Sequence, residues 1–120
     1  MTDRDARLMA ILAIGRDTSM RGAGTSLRDA LKATSYAEHR SGFSAADLCP
    51  LIDAHPSLMQ EWLSYSEDKR TLGGWYIRRD GQIGRALQPE TQRKFATLQE
   101  AVAEYVILEL DFWDHVGKAV

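Results

Sequence analysis

The fold of this chain is decided by residues 75–87, which read WYIRRDGQIGRAL. Two runs rich in apolar and aromatic residues flank Asp80-Gly81, a dipeptide typical of a two-residue hairpin turn of type I′. Such a turn places Arg79 opposite Gln82, and neighbouring residues then alternate between the two faces of the hairpin. The first predicted face carries Trp75, Ile77, Gly84 and Ala86, and the second carries Tyr76, Arg78, Ile83, Arg85 and Leu87.

Downstream of the hairpin, the pattern predicts one more strand and a long helix. After a turn at Pro89, the run from Arg93 to Ala96 is typical of a third antiparallel strand. Thr97 and Glu100 then have the spacing of a capping box, and a broad apolar face follows at helical spacing. We therefore expect a three-stranded sheet over about residues 75–96, covered by a helix over about residues 98–115 that ends near Gly117.

Upstream of the hairpin, capping signals predict helices. These signals are Thr2, Ser26, Ser44 with Asp47, and Pro56. The first helix is expected to end at Gly15, and the second to run from Ser26 to about Glu38. Helices followed by a small sheet and a final helix make an α+β fold.

The length of 120 residues fits one domain, residues 1–120, with a single core. The core is assigned to residues 26–120. Residues 1–25 are predicted to form a peripheral helix, whose apolar positions are Leu8, Ile11 and Leu12, followed by a flexible connection rich in glycine.

Composition points to a cytoplasmic protein. The apolar fraction is 44% and the formal net charge is −2, which argues against bulk attraction to nucleic acid or to an anionic membrane. The single cysteine, Cys49, cannot form an internal disulfide and fits a reducing compartment as a buried apolar group. No stretch approaches the roughly 20 apolar residues of a membrane helix, so we expect no membrane partner.

Candidate catalytic and metal-binding residues lack the required spacing. His39, Cys49, His55 and His115 are scattered rather than paired as zinc ligands are. A nucleophile motif of the type G-x-S-x-G and a phosphate-binding glycine loop are both missing from the sequence. We therefore predict a non-enzymatic protein without a cofactor.

A basic excess makes the hairpin a candidate binding surface. Between Lys69 and Lys94 there are seven basic and two acidic residues. Tyr76, Arg78 and Arg85 are predicted to share a face, and aromatic and arginine residues are enriched at interface hot spots. Open sheet edges add a possible site for strand addition. Two structural interpretations stay open: acidic side chains of the last helix balance this face, or the N-terminal helices cover it.

The order of elements also imitates a winged helix. In that alternative, residues 56–70 form the recognition helix of a DNA-binding regulator, and Arg78 and Arg79 lie on the wing. The charges fit less well, because Glu61, Glu67 and Asp68 on the recognition helix repel phosphate.

Two blocks of sequence resemble a known group of proteins. The block WLSYSEDKRTLGGWY at residues 62–76 and the block AVAEY at residues 101–105 resemble small, largely uncharacterised bacterial proteins, some of them similar in build to immunity proteins of polymorphic toxin systems. The resemblance covers the second half of the chain and leaves the N-terminal helices outside. It implies a role without catalytic residues, in which the protein binds and neutralises a toxin.

The leading hypothesis is therefore a protein-binding domain of the immunity type, and the alternative is a winged-helix regulator that binds DNA. The predicted partner-binding residues are Glu67, Asp68, Lys69, Arg70, Tyr76, Arg78 and Arg85.

Overall fold

The structure, a computed structural model, describes residues 2–18, 26–69 and 72–118. Within these ranges, helices precede and follow an antiparallel sheet, which confirms the predicted α+β class. The helices are α1 (Asp3–Leu12), α2 (Ile14–Thr18), α3 (Leu27–Ala33), α4 (Tyr36–His39), α5 (Ala45–Ala54), α6 (Pro56–Asp68) and α7 (Leu98–Lys118). A 3-10 turn (Arg40–Gly42) follows α4. The strands are β1 (Tyr76–Ile77), β2 (Gln82–Arg85) and β3 (Gln88–Lys94), in that order across the sheet.

The predicted helix starts are confirmed by their capping contacts. The hydroxyl of Thr2 accepts the Asp5 N–H at 3.0 Å, and that of Ser26 accepts the Asp29 N–H at 3.1 Å. At the start of α5, the Asp47 carboxylate accepts the Ser44 N–H at 2.8 Å. These contacts satisfy backbone donors that have no partner inside the helix.

The first helix is part of the core, so the prediction of a peripheral helix is wrong. Leu8, Ile11 and Leu12 are buried in the same apolar cluster as the central helices. Gly15 does not end α1; it lies inside α2, where a Cβ atom would stand 2.7 Å from the Trp62 ring. The glycine is therefore needed for close packing of α2 on α6. Residues 19–25 of the predicted flexible connection lie outside the described residues.

The predicted helix from Ser26 to Glu38 is interrupted. It breaks after α3 because Ser35 has a left-handed backbone, with φ of 52°. The break turns Tyr36 into the core, where its hydroxyl donates to the Asp111 carboxylate of α7 at 2.6 Å. Burial raises the Tyr36 pKa, and Asp111 raises it further. Arg40 binds the same carboxylate at 2.8 Å, so the break joins this segment to α7.

The last helix is the centre of the fold. α7 packs against α3, α5, α6 and the first two strands. Val102, Tyr105 and Leu110 are fully buried along it. α7 ends at Lys118, one residue beyond Gly117, which confirms the predicted long helix that ends near this glycine.

The hairpin forms where predicted, but its register differs by one residue. Tyr76 pairs with Gly84, and Ile77 pairs with Ile83. A shift of one residue moves side chains to the opposite face of a strand. Ile83 therefore lies beside Ile77 on the helix-covered face, and both are buried.

The shift originates in the turn. Gly81 donates its N–H to the Arg78 carbonyl at 3.0 Å, and Arg78 donates to the Gln82 carbonyl at 2.9 Å. Three residues, 79–81, thus form the loop, and the predicted two-residue type I′ turn is wrong. Gly81 has the positive φ (89°) that this loop requires, and the Asp80 carboxylate accepts the Gln82 N–H at 3.0 Å.

The third strand is antiparallel, as predicted, but begins earlier. It contains Pro89 and ends at Lys94 rather than at Ala96. Ile83 pairs with Arg93 while Arg85 pairs with Gln88, so residues 89–92 form a bulge opposite a single residue of β2. Proline is tolerated at such a bulge on an edge strand because no ladder hydrogen bond is lost there.

Candidate partner-binding face

One face of the sheet points away from the helices that the structure describes. We name it the open face, and it consists of Tyr76, Arg78, Gln82, Gly84 and Lys94. Residues paired across antiparallel strands share a face, which groups Tyr76 with Gly84 and Gln82 with Lys94. The helices α6 and α7 pack on the other side, over Ile77 and Ile83. Among the described residues, the N-terminal helices therefore do not cover the open face.

An aromatic ring on the open face packs against the middle strand of the sheet. A Cβ atom on Gly84 would stand 2.8 Å from the Tyr76 hydroxyl oxygen and 3.0 Å from the ring carbon that bears it. The absence of a side chain at Gly84 thus lets the Tyr76 ring rest on the neighbouring strand. The Arg78 guanidinium lies 5.3 Å from the ring centroid, within the range of a cation–π contact.

Arg85 does not join this pair. The corrected register places it on the helix-covered side, where its guanidinium lies 4.9 Å from the Phe112 ring centroid of α7. Tyr76 and Arg78 are thus brought together as predicted, while Arg85 is separated from them by the sheet. Arg93 also faces α7, over the Trp75 ring and 3.7 Å from the Glu104 carboxylate.

The predicted binding segment at the end of α6 is largely occupied by internal contacts. The Lys69 ammonium binds the Glu109 carboxylate at 2.7 Å, and only 11% of the Lys69 side chain is exposed. Exposed Glu67 binds Arg79 at 2.8 Å, and Asp68 is half-buried. Lys69 is therefore removed from the candidate site, and Arg70 lies outside the described residues.

Glu109 holds a buried hydrogen-bond network together, and its sequence pattern did not predict this role. It is one of the acidic side chains of the last helix that could have balanced the sheet face, yet it is fully buried. Its carboxylate accepts hydrogen bonds from the Tyr65 hydroxyl at 2.8 Å and from the Trp75 N–H at 2.7 Å, besides binding Lys69. Burial raises the Tyr65 pKa, and the Glu109 charge raises it further. The available signal was its spacing of four residues from buried Tyr105 on the apolar stripe of α7.

The same side chains close the outer edge of β1. Lys69 donates to the Trp75 carbonyl at 2.9 Å, and Glu109 accepts the N–H of that residue. The Ser66 hydroxyl accepts the Ile77 N–H at 3.0 Å and donates to the Ile77 carbonyl at 3.2 Å. Three side chains thus occupy backbone groups that an added strand would need.

The outer edge of β3 is also unsuited to strand addition. The bulge at residues 89–92 interrupts the ladder, and the Thr91 hydroxyl within it donates to the Gln88 carbonyl and accepts the Arg85 N–H, each at 2.7 Å. Bulges and prolines are devices by which proteins protect edge strands. Recognition by side chains of the open face therefore fits this sheet better than recognition by an added strand.

The basic side chains in and beside the sheet fall into two groups, those with a carboxylate partner and those without one. Lys69, Arg79 and Arg93 each have a carboxylate within 4.0 Å. Within the described ranges, Arg78 and Lys94 are exposed and form no such ion pair. The open face thus presents two uncompensated cations in one cross-strand row, beside the row that holds the tyrosine.

The helix proposed for DNA recognition serves mainly as a core helix. In α6, Leu58, Trp62 and Leu63 are buried, and the Trp62 indole donates to the Leu12 carbonyl at 2.8 Å. The exposed end of α6 carries Glu67, which neutralises Arg79 of the wing.

The described part of the chain contains no group of three or more His, Cys, Asp or Glu side chains placed to hold a metal ion. Over the same residues, no helix has the length and apolar content that crossing a membrane requires. Comparison with known proteins found no matching family model, curated protein or solved structure.

Proposed function

We propose that this chain is a protein-binding domain that uses its open face to recognise an acidic surface on another protein. The observation that carries the proposal is the uncovered, uncompensated positive charge of Arg78 and Lys94 beside Tyr76. A carboxylate placed between the two cations forms charge-assisted hydrogen bonds, and the Tyr76 ring contributes apolar contact area at the centre. Such an arrangement is suited to rapid, charge-steered association.

The role we propose for this binding is inhibition of the partner, as in immunity proteins. A domain that works by covering a partner needs a rigid surface rather than reactive groups. The open face meets this requirement because the Lys69–Glu109 pair fixes the segment before β1. The proposal places the encounter in the cytoplasm, the compartment predicted from the lone Cys49.

Co-expression tests the inhibitory role. Proteins retained by the immobilised chain from an extract of its source cells are identified, and each is expressed alone and together with the chain. We expect a partner that arrests growth alone and permits growth when the wild-type chain is present. The double variant R78E/K94E should fail to protect, while R28E/K32E, which makes the same charge change on exposed positions of α3, should protect fully.

Two results would reject the proposal. One is retention of no protein at all by the wild-type chain. The other is equal retention and protection by R78E/K94E and by the wild type. Salt-dependent binding of the purified chain to oligonucleotides, lost in R78E/K94E, would instead support the DNA-binding alternative.

A further inference from the structure

The turn between β2 and β3 holds a leucine in an unfavourable position. Leu87 has a φ of 63°, in the left-handed region that favours glycine or asparagine. A side chain with a Cβ atom is unfavourable there, because the Cβ atom lies too close to the following carbonyl oxygen. The side chain is also 88% exposed, so contacts within the protein do not offset this cost. A strained residue that gains nothing from the fold indicates a role outside it.

The position of Leu87 connects it to the open face. Leu87 follows Gly84, on which Tyr76 rests, by three residues along the chain. Three residues span at most about 10 Å of chain, so the turn that carries Leu87 lies within that distance of Gly84. The hairpin loop at residues 79–81, which directly follows Arg78, is at the opposite end of β2. The sheet thus has the Arg78 and Lys94 cations at one end and exposed Leu87 at the other, with the Tyr76–Gly84 pair between them.

We propose that Leu87 is the apolar anchor of the partner-binding surface and inserts into an apolar pocket of the partner protein. This inference rests on the proposed function. The partner is an acidic protein, because Arg78 and Lys94 lie on the same side of the sheet and form no ion pair with any residue that the structure describes. A partner pocket bordered by acidic groups would be complementary to the leucine and to these two cations. A buried apolar anchor beside charged contacts is the usual arrangement of an interface hot spot.

The strain makes a specific prediction for substitutions at this position. Leu87→Asn places a polar residue that tolerates the left-handed backbone, so the free protein should unfold at the same or a higher urea concentration than the wild type. The same variant should weaken the affinity for the purified partner by about 30-fold, the effect of removing a hot-spot side chain. Leu87→Met keeps an apolar side chain and should retain affinity within about threefold.

The affinities are measured by calorimetry with the partner identified in the co-expression experiment. Unchanged affinity of Leu87→Asn, with R78E/K94E still impaired, would overturn the anchor and leave the proposed function standing. Loss of stability in Leu87→Asn would likewise overturn it, because the leucine would then serve the fold. If R78E/K94E binds the partner normally, the proposed function fails first, and the anchor fails with it.

Two other possible binding partners of Leu87, a second copy of the chain and a membrane, are tested with the purified protein alone. Analytical ultracentrifugation compares the self-association of the wild type and Leu87→Asn, and co-sedimentation compares their binding to vesicles of phosphatidylcholine and phosphatidylglycerol. We expect the wild type to remain monomeric and to leave the vesicles unbound. Dimerisation or vesicle binding that disappears in Leu87→Asn would assign the leucine to a second copy or to a membrane and contradict the proposal.

Discussion

At residue 109, a carboxylate lies in the core and binds groups that are far away in the sequence. Lys69, Tyr65 and the Trp75 N–H surround Glu109, and Gly74 passes so close that a Cβ atom there would collide with the carboxylate. Loss of one partner leaves a buried charge without compensation, which costs more than the intact pair contributes. The network therefore matters most as a means of fixing the segment before β1.

Replacement of Lys69 should reveal this dependence. In Lys69→Met, the Glu109 charge loses its counter-ion, and we expect the free energy of unfolding to fall by about 3–5 kcal/mol. Urea denaturation followed by tryptophan fluorescence measures the change. The double variant K69M/E109Q should recover part of the loss, because glutamine removes the charge and still accepts the Trp75 N–H.

Lys94→Met is the control for this experiment. It lies at an exposed position and should change the free energy of unfolding by less than about 0.5 kcal/mol. A similarly small change in Lys69→Met would contradict this account.

At the scale of elements, local sequence signals predicted where the helices begin, whereas tertiary contacts determine how the helices pack and how the strands pair. Thr2, Ser26 and Ser44 cap helices through neighbours a few residues away, so their pattern is visible in the sequence. The hairpin register could not be read from the sequence, because the Asp80-Gly81 dipeptide also fits a three-residue loop. In the structure the loop has three residues, and the Asp80 carboxylate accepts the Gln82 N–H within it. The Tyr76 and Arg78 half of the candidate site was predicted, whereas Lys94 emerged only from the register.

The packing of α2 on α6 gives a prediction at this scale. Gly15→Ala places a methyl group 2.7 Å from the Trp62 ring, where ring and helix are both held by the core. We expect a loss of about 1–3 kcal/mol in unfolding free energy, as for other overpacked sites. Gly42→Ala is the matched control, since nothing lies within 4 Å of a Cβ atom there. Equal stabilities of the two variants would show that α2 does not pack as described.

The start of α5 gives a prediction about pH. The Ser44 N–H, and secondarily the Arg4 guanidinium, lower the pKa of the Asp47 carboxyl. A carboxyl whose pKa is lower in the folded state stabilises the protein above its unfolded pKa of about 3.9, and this contribution disappears as the pH falls through the folded pKa. Asp47→Asn should therefore lower the melting temperature at neutral pH, and the difference from wild type should shrink below about pH 4. Asp53→Asn, an exposed carboxyl on the same helix, serves as the control; a pH-independent deficit in Asp47→Asn would exclude an electrostatic origin.

For the whole molecule, the distribution of charge matters more than its sum. The net charge of −2 gives no indication of a basic surface. Acidic residues of α6 and α7 neutralise Arg79, Arg93 and Lys69, while Arg78 and Lys94 have no ion-pair partner among the described residues. The helices thus leave one side of the sheet positively charged and uncovered. This side is the surface on which we expect a partner.

The most direct test of the central claim is the dissociation constant of the captured partner for two double variants of equal charge. R78E/K94E reverses the open face, and R28E/K32E makes the same change on α3. We predict that R78E/K94E weakens binding by at least about tenfold and that R28E/K32E changes it by less than about twofold, because charges far from an interface are screened by salt. Equal weakening by the two variants, or no weakening by R78E/K94E, would contradict the assignment of the open face as the binding surface.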